Sequence, residues 1–518
     1  MRELLRKLDD LAAVETDNNF ARMLERIAFV FMILMFVFAP HSIAATQIAW
    51  LTGMMAWFVR QFVAPRRKLR RTPLDVPLWI FFAWSIVTSI FSYDPPTSLD
   101  KLRNVALFLI FYYLINVLKT KRAVIFMAST LILSSMVAVV WTPFERIFGR
   151  GVEILNVGAD SPFAKASLKN SDTLLKADDV KITTPEELLA AVEANETTRI
   201  YVYRPDYYMT VEVKRADLLA GNNALEKFGI GNWKHSRNWR SAGFLSHYAT
   251  FAEILQLILS LTFGLFIASL GRNTNRSDGQ ESLKSYLLSF SPTLLFCVAA
   301  MSVALLLTVT RASQIGFLAS AFAAAFFGAN RKLLLILAVI LVPVAVGGIY
   351  FQQQSRNVGF FDSKDDSTRD RLTFYRKGWN LWTDNARNFS IGVGMDSTKR
   401  NIKEWNLYDN QGMPMGHFHS TPLQLLVERG LPALFLWFWV LWIYGRTLLR
   451  WLKNHSSADW RERGIVLGAL GGLVGFTVAG LVHYNLGTAM VAMVFFMLMG
   501  LSFVLVLPAP QNSTTVED

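Results

Sequence analysis

Long apolar runs restrict the fold of this chain more than any other feature of its sequence. About twelve segments are apolar over roughly the 17–25 residues that a helix needs to cross a bilayer. Only 18% of the residues are charged, against about 25% in typical soluble proteins. The sequence therefore predicts an all-α polytopic membrane protein with about twelve transmembrane helices. The predicted spans are Ile27–Ala44, Ala45–Phe62, Asp75–Phe91, Asn104–Leu118, Ala123–Thr142, Tyr248–Leu270, Tyr286–Thr310, Ser313–Gly328, Leu333–Phe351, Leu425–Tyr444, Gly464–His483 and Gly487–Leu507.

The basic residues behind the net charge of +13 stand in short blocks between the apolar runs. This pattern is typical of the cytoplasmic loops of membrane proteins, whereas a nucleic-acid-binding surface gathers its charge on one face. No nucleic-acid partner is therefore predicted. With the basic blocks in the cytoplasm, both termini are cytoplasmic as well. The polar intervals near residues 143–247 and 352–424 then lie together on the outer side. Because there is no ATP outside the membrane, a reaction on that side needs a substrate that is already activated.

Residues 150–215 have a different character from the rest of the chain. Val152–Val157 alternates like a strand, Pro185–Ala194 has a helical pattern, and Arg199–Tyr203 with Thr210–Val213 predicts a β pair. This order of elements, with the stretch Ser161-Pro-Phe-Ala-Lys-Ala-Ser-Leu-Lys, resembles a PDZ domain. The chain departs from bacterial PDZ domains where Ala-Ser-Leu and Ser-Asp replace Ala-Gly-Leu and Gly-Asp.

The PDZ resemblance implies a small α+β domain over residues 146–217 on the periplasmic side. Such a domain would bind a peptide or a protein partner by adding a strand beside Gly151, Val152 and Ile154. A spacer that binds nothing explains the same sequence equally well.

Four sequence elements carry the functional prediction, and we give them in chain order. They are Arg240-Ser-Ala-Gly-Phe-Leu-Ser-His247, Leu307-Thr-Val-Thr-Arg311, the loop with Arg369-Asp-Arg371 and Gly392-Val-Gly394, and Gly416-His417-Phe-His419 followed by Gln424 and Glu428. Together they resemble the superfamily of O-antigen ligases and O-antigen polymerases, which are bacterial membrane glycosyltransferases. The resemblance covers residues 240–510, including the periplasmic loop 352–424, and leaves residues 1–142 as further transmembrane helices. It departs from the family at Ser420, where Asn commonly follows the histidine.

The superfamily resemblance implies a metal-independent, inverting glycosyltransferase of the bacterial inner membrane that needs no cofactor. Its donor would be an undecaprenyl diphosphate-linked glycan and its acceptor a lipid or glycan, and membrane lipids would surround it. Arginine suits a diphosphate because its planar guanidinium makes bidentate contacts, and histidine suits the base. Catalytic roles are predicted for His419 and Arg311. Diphosphate or glycan binding is predicted for Arg369, Arg371, Arg240, His247, His417 and Glu428.

Simpler explanations exist for the same residues. An arginine at the end of a transmembrane helix often only anchors that helix in the headgroup region. A glutamate inside an apolar run, such as Glu253 or Glu428, needs a partner, and arginine is the expected one. His417 and His419 would suit a metal, but no further His or Cys cluster completes a site, and Cys297 lies in an apolar run. The choice between ligase and polymerase stays open, as do a lipid-linked glycan transporter and a PDZ-based membrane scaffold.

Overall fold

The computed structural model describes residues 2–64, 68–204, 207–237, 240–245, 247–270, 291–329, 366–410, 412 and 414–508, with single helical positions at 334, 339, 346, 347 and 350. The chain forms two compact units. One consists of Met1–Val139 and Ala242–Asp518, and the other is Val140–Ser241. Most of the predicted span Leu333–Phe351 lies outside the described residues.

Helices make up most of the described chain, and we number them in chain order. They are α1 (Arg2–Ala12), α2 (Asn19–Phe38), α3 (Ile43–Arg60), α4 (Asp75–Ile90), α5 (Pro95–Val105), α6 (Leu109–Val117), α7 (Lys121–Phe148), α8 (Pro162–Lys165), α9 (Pro185–Ala194), α10 (Ala224–Phe228), α11 (Tyr248–Leu270), α12 (Pro292–Leu307), α13 (Arg311–Gly328), α14 (Asp366–Thr383), α15 (Ala386–Ser390), α16 (Ser397–Arg400), α17 (Thr421–Asn454), α18 (Trp460–Gly480) and α19 (Ala489–Val506), with 3₁₀ turns at Ala106–Phe108 and Arg215–Asp217.

Five of the described helices, α7, α11, α17, α18 and α19, are long and apolar enough to cross a membrane. Two shorter apolar helices, α4 and α12, accompany them. The chain is therefore a membrane protein with several transmembrane helices, and the full number of twelve stays a prediction. Helix α11 has the bounds predicted for its span, whereas the predicted span Asn104–Leu118 is divided between α5, a 3₁₀ turn and the nine-residue α6.

Helices α11, α13 and α18 pack closely because small residues line their contacts. A Cβ atom at Gly468 would lie 2.5 Å from the Cα atom of Leu261, and one at Gly475 would lie 2.5 Å from the carbonyl oxygen of Gly316. At both glycines a side chain would therefore prevent the close approach of the helices. Gly316 near the start of α13 meets the later part of α18, and Gly328 at its end meets Leu467. Helix α13 therefore runs antiparallel to α18.

Helix α11 is also antiparallel to α18, since Gln256 approaches Gly475 while Gly264 approaches Gly468. The starts of α11 and α13 therefore lie at the same end of the bundle as the end of α18. Gln256 Nε2 donates to Ser320 Oγ at 3.1 Å and sets the relative height of α11 and α13. A helix rises 1.5 Å per residue, so along the helix axes Arg311 lies about 13 Å from Ser320 and Tyr248 lies about 12 Å from Gln256. The two helix starts are thus level.

The second unit contains an antiparallel sheet of six strands in the order β5-β4-β2-β1-β6, with β3 paired to β2. Its core includes Ile154, Leu174, Val202 and Phe228. Helix α9 begins with a capping box in which Thr184 and Glu187 bond each other's backbone. The strands are β1 (Arg150–Val157), β2 (Thr173–Ala177), β3 (Val180–Lys181), β4 (Thr197–Arg204), β5 (Tyr207–Lys214) and β6 (Ile230–Ser236). The sheet therefore extends past residue 217, the predicted end of this domain.

The positions that replace the usual PDZ glycines keep a backbone that favours glycine. Ser167 has φ 62° and Ser171 has φ 72°, the left-handed region that a residue with a side chain enters at a cost of about 1–2 kcal/mol. The Asp172 carboxylate next to them receives two bonds from Arg204, at 2.7 and 2.6 Å. The turns thus keep their shape without glycine, and the PDZ identity of the unit stays a prediction.

Strand β1, which contains the predicted peptide-binding positions Gly151, Val152 and Ile154, is paired along both edges. It bonds β2 on one side and β6 on the other, where Ile154 faces Trp233 and Glu153 faces Lys234. A peptide would have to displace β6 before it could add a strand there. Peptide binding beside β1 therefore stays a prediction, with this additional requirement.

Candidate active site

The start of α17 is fixed to the loop that follows α18. The backbone N–H of Thr421 donates to the carbonyl oxygen of His483 at 3.1 Å, and Thr421 Oγ1 donates to Asn485 Oδ1 at 2.8 Å. Ser420 caps α17 through its side-chain oxygen. Serine and asparagine are about equally good N-caps, so the departure from the family's Asn at this position preserves the cap. These bonds bring residues 417–421 to the bundle end where α11 and α13 begin.

Three histidines gather at this end of the bundle. The ring centroids of His417 and His419 are 4.1 Å apart, and those of His419 and His483 are 6.1 Å apart. Phe374 stacks on His419 with nearly parallel rings at 5.4 Å. His417 and His419 thus lie together at a turn, since His419 has φ 48°.

His483 pairs with the buried Glu253 of α11. Its Nδ1 lies 2.5 Å from Glu253 Oε1, and Glu253 is only 2% exposed. The carboxylate therefore has an imidazole as its partner instead of the expected arginine. Sequence reasoning missed His483 because residues 253 and 483 are far apart in the chain. The one available signal was the polar stretch His483-Tyr484-Asn485 between two apolar spans.

Burial keeps His417 and His419 neutral. Burial is the largest of the causes that lower the pKa of His419 to about 2, followed by electrostatic interactions with His417, His483, Arg371 and His247 in that order. Burial likewise lowers the pKa of His417 to about 4, with His483 as the next contributor. The Nδ1 of His417 is 3.2 Å from the backbone N–H of His419 and accepts its hydrogen. A protonated Nδ1 could not accept that bond, so the geometry agrees with a neutral ring.

We expect the stability of the protein to fall as the pH is lowered below 6.5. Between the ordinary histidine pKa of 6.5 and the lower folded value of about 4 for His417, the unfolded chain binds more protons than the folded one. From pH 7 to pH 5 the loss is about 2 kcal/mol for one such histidine. Thermal unfolding of the full chain at both pH values measures this loss. His417→Gln should reduce it, and equal losses in H417Q and the native protein would contradict the assignment.

Arg371, not Arg369, lies with the histidines. Arg371 is three and four residues before Phe374 and Tyr375, so the three share one face of α14. Phe374 stacks on His419, and the Tyr375 hydroxyl donates to the carbonyl oxygen of His419 at 3.3 Å. Arg369 is two positions from Arg371 on the same helix and therefore points away from that face. It is exposed, while Arg371 is half-buried.

Helix position places two further predicted residues at this end of the bundle. Arg311 is the first residue of α13 and is half-buried, and His247 directly precedes α11. The charge of His247 contributes to the lowered pKa of both His417 and His419, so it lies near them. Arg240 belongs to the unit Val140–Ser241. Its role therefore stays a prediction.

Glu428 holds the histidine loop in place. Its Oε1 accepts from the backbone N–H of Asp396 and from Gln424 Nε2, both at 2.9 Å, and Tyr484 lies 3.4 Å from Oε2. Gln424 Oε1 in turn accepts from the backbone N–H of Phe418 at 2.8 Å. Phe418 stands between the two histidines. Glu428 and Gln424 thus position His417 and His419, and an arginine, Arg429, is among the groups that act electrostatically on Glu428.

Groups of three or more His, Cys, Asp or Glu side chains arranged to hold a metal ion do not occur among the described residues. The cluster presents the neutral imidazoles of His417 and His419, the Glu253 carboxylate and Arg371 at one bundle end. This set suits the binding of an anion beside a proton acceptor.

Residues 296–438 match the O-antigen ligase family. The matched segment contains Arg311, Arg371, His417, His419 and Glu428. No curated protein was found to match the chain. The family match supports a membrane enzyme of cell-surface polysaccharide biosynthesis with glycosyltransferase-like chemistry and lipid-linked glycan substrates. Glu253 and His483, which complete the histidine cluster, lie outside the segment that matches the O-antigen ligase family.

Proposed function

We propose that this protein transfers a glycan from undecaprenyl diphosphate to an acceptor hydroxyl on the periplasmic face of a bacterial inner membrane. The observation that carries the proposal is the position of His419 against Phe374 and Tyr375, on the face of α14 that also bears Arg371, within the segment that matches the O-antigen ligase family. A neutral imidazole can accept a proton, and a guanidinium can hold a diphosphate. Both groups are needed at one place for glycosyl transfer.

In the proposed reaction Arg371 and Arg311 bind the diphosphate of the donor. The acceptor oxygen forms a bond to the anomeric carbon while the bond from that carbon to the diphosphate oxygen breaks. The electron pair leaves with undecaprenyl diphosphate, whose growing negative charge the arginines stabilise. His419 takes the proton of the acceptor hydroxyl. A single direct displacement inverts the anomeric centre.

The donor itself makes His419 a better base in this scheme. The free site lowers the pKa of His419 to about 2 through burial and through positive neighbours that include Arg371. A bound diphosphate brings negative charge next to Arg371 and offsets its effect, which raises the pKa of His419. The base is thus strengthened when the donor is in place.

We expect Arg371→Ala to reduce transfer far more than Arg369→Ala. Arg371 shares a helix face with the residues that contact His419, whereas Arg369 is exposed on another face. Loss of a cation that stabilises a developing anion typically costs about 10²–10³ in rate. The measurement is glycan transfer by membranes that contain equal amounts of each variant. Equal losses in R371A and R369A would contradict the placement of the donor diphosphate.

The test of the proposed function is deletion of the gene in its source bacterium, followed by gel analysis of surface polysaccharide and of lipid-linked glycan. A ligase predicts loss of polymer attached to lipopolysaccharide with accumulation of lipid-linked polymer. A polymerase predicts a single repeat attached to the core. Unchanged surface polysaccharide and unchanged lipid-linked pools would overturn the proposal.

A further inference from the structure

A cavity of about 130 Å³ lies on the His417 side of the histidine cluster. His417 and Gly416 line one wall, while helices α4 and α5 supply the opposite wall through residues such as Phe81 and Lys101. His419 and Arg371 do not line it. The cavity thus shares His417 with the histidine cluster, but it does not include His419 or Arg371.

Ionisable groups of the cavity already pair with one another. Lys101 Nζ and Lys399 Nζ both lie near the same Asp396 oxygen, at 2.9 and 3.0 Å. Burial alone would raise the pKa of Asp396, but its bonds to the two lysines lower it, so the carboxylate is charged. With Glu428 and Arg429 included, three cations and two carboxylates line the cavity, which leaves one formal positive charge. A diphosphate, with at least two negative charges, would have to break these pairs.

The remaining lining suits a neutral, hydroxyl-rich ligand. Aromatic rings are supplied by Phe81 and Trp437, whose centroids are 5.6 Å apart, and their apolar faces can cover the C–H face of a sugar. Asn104 offers both donor and acceptor atoms. Arg429, only 4% exposed, has an Nε without a hydrogen-bond partner among the described residues. A buried N–H group without a hydrogen-bond partner favours the binding of a ligand that supplies an oxygen to accept its hydrogen bond.

We propose that this cavity binds the terminal sugar of the acceptor, a proposal that rests on the glycosyl transfer proposed above. The acceptor hydroxyl then reaches the histidine pair from the His417 side, while the donor diphosphate lies with Arg371 on the His419 side. The two substrates occupy separate pockets whose charge matches their chemistry. The donor pocket carries arginine, and the acceptor pocket carries paired charges, amide and aromatic rings.

Gly416 provides a way to fill the cavity without disturbing its walls. A Cβ atom at this glycine meets no atom within 4 Å, and its backbone is not in the left-handed region. Gly416 lines the cavity but is itself exposed, so Gly416→Leu adds a bulky side chain at the rim of the cavity, while Gly416→Ala adds a single methyl group. Asn104→Leu is a second variant of similar volume, which removes the amide and leaves the space.

The experiment measures binding of methyl glycosides of glucose, galactose and N-acetylglucosamine to the full chain in nanodiscs, by saturation-transfer difference NMR against empty nanodiscs. Geranyl diphosphate serves as the anionic probe. We expect at least one glycoside to bind the native protein. Its signal should be lost in G416L, and its affinity should fall about fivefold in N104L, the factor expected for one lost hydrogen bond. R371A should still bind the glycoside but should no longer bind geranyl diphosphate.

Absence of glycoside binding to the native protein would overturn the proposal, as would glycoside binding that survives in G416L. If G416L no longer binds geranyl diphosphate, the cavity is the site of the anion and not of the acceptor sugar, which also overturns the proposal. The unfolding temperature of G416L and N104L shows that both variants are folded. Because binding is measured without turnover, failure of the cavity proposal and failure of the transfer reaction give different results.

Discussion

Replacing His419 with alanine is expected to abolish glycan transfer while the protein still inserts and folds. His419 is the imidazole that Phe374 stacks on, and it lies between His417 and the His483–Glu253 pair. It therefore neighbours both other histidines of the cluster and lies against α14, the helix that bears Arg371. Loss of a general base typically costs about 10²–10⁴ in rate. At that level no product should be detected on gels.

The measurement for H419A is complementation of the gene deletion at equal protein level. His455→Ala is the matched control, since His455 is exposed and follows α17 at the opposite end of that helix from the cluster. H455A should restore the polysaccharide fully. Normal polysaccharide with H419A would show that another group accepts the proton.

The second large effect is expected for Gly392→Ala, which should prevent the formation of stable protein. Gly392 has φ 79°, and a Cβ atom there would lie 2.4 Å from the backbone nitrogen of Arg429. Both a strained backbone and a clash with backbone atoms result. Substitutions that combine these effects reach losses above about 4 kcal/mol. Gly472→Ala in α18 is the control, because a Cβ there makes only ordinary contacts of 3.5 Å or more.

The amount of folded protein in detergent extracts, followed by size-exclusion chromatography, measures both glycine variants. G472A should match the native protein and G392A should be almost absent. Recovery of G392A at native levels would mean that this loop does not pack against α17 as described.

The reason for this close packing lies in α17 itself. Pro432 has no N–H, so the carbonyl oxygen of Glu428 four residues earlier lacks its helical partner. The backbone N–H of Gly394 supplies one at 2.9 Å. The helix is kinked at Gly430, which has φ 72°, and the N–H of Val393 donates to the carbonyl oxygen of Val427 at 2.8 Å. The Gly392-Val-Gly394 stretch thus completes the backbone bonds of the kinked helix.

Local pattern was sufficient to predict much of this fold. The bounds of α11 follow from an apolar run with a clear beginning and end, whereas Arg311, which was expected at the end of a helix, is the first residue of α13. Strands β1, β4 and β5 and helix α9 of the second unit also follow from periodicity. Strand β6 was not predicted, because Ile230–Ser236 has few apolar residues and is paired mainly through its backbone with β1.

Long-range contacts account for what the sequence could not show about the site. His483 gains its role only through Glu253, which lies on another helix, and Glu428 meets Asp396 and Tyr484 through chain folding. The choice between Arg369 and Arg371 needed the knowledge that residues 366–383 form a helix. In an extended loop both side chains would have pointed to one side.

The central claim is that His419 and the neighbouring arginines transfer a glycan directly from undecaprenyl diphosphate. The most direct measurement uses the purified full chain in proteoliposomes with a lipid-linked glycan and an acceptor extract, and it counts released undecaprenyl diphosphate and attached glycan. We predict equal amounts of both products without ATP, transfer that continues in the presence of EDTA, an inverted linkage, and no reaction with H419A. Two acceptors are tested, the lipopolysaccharide core and a second molecule of lipid-linked glycan. The claim is contradicted if the donor is not consumed with either acceptor. It is also contradicted if the release of undecaprenyl diphosphate requires ATP or a divalent metal.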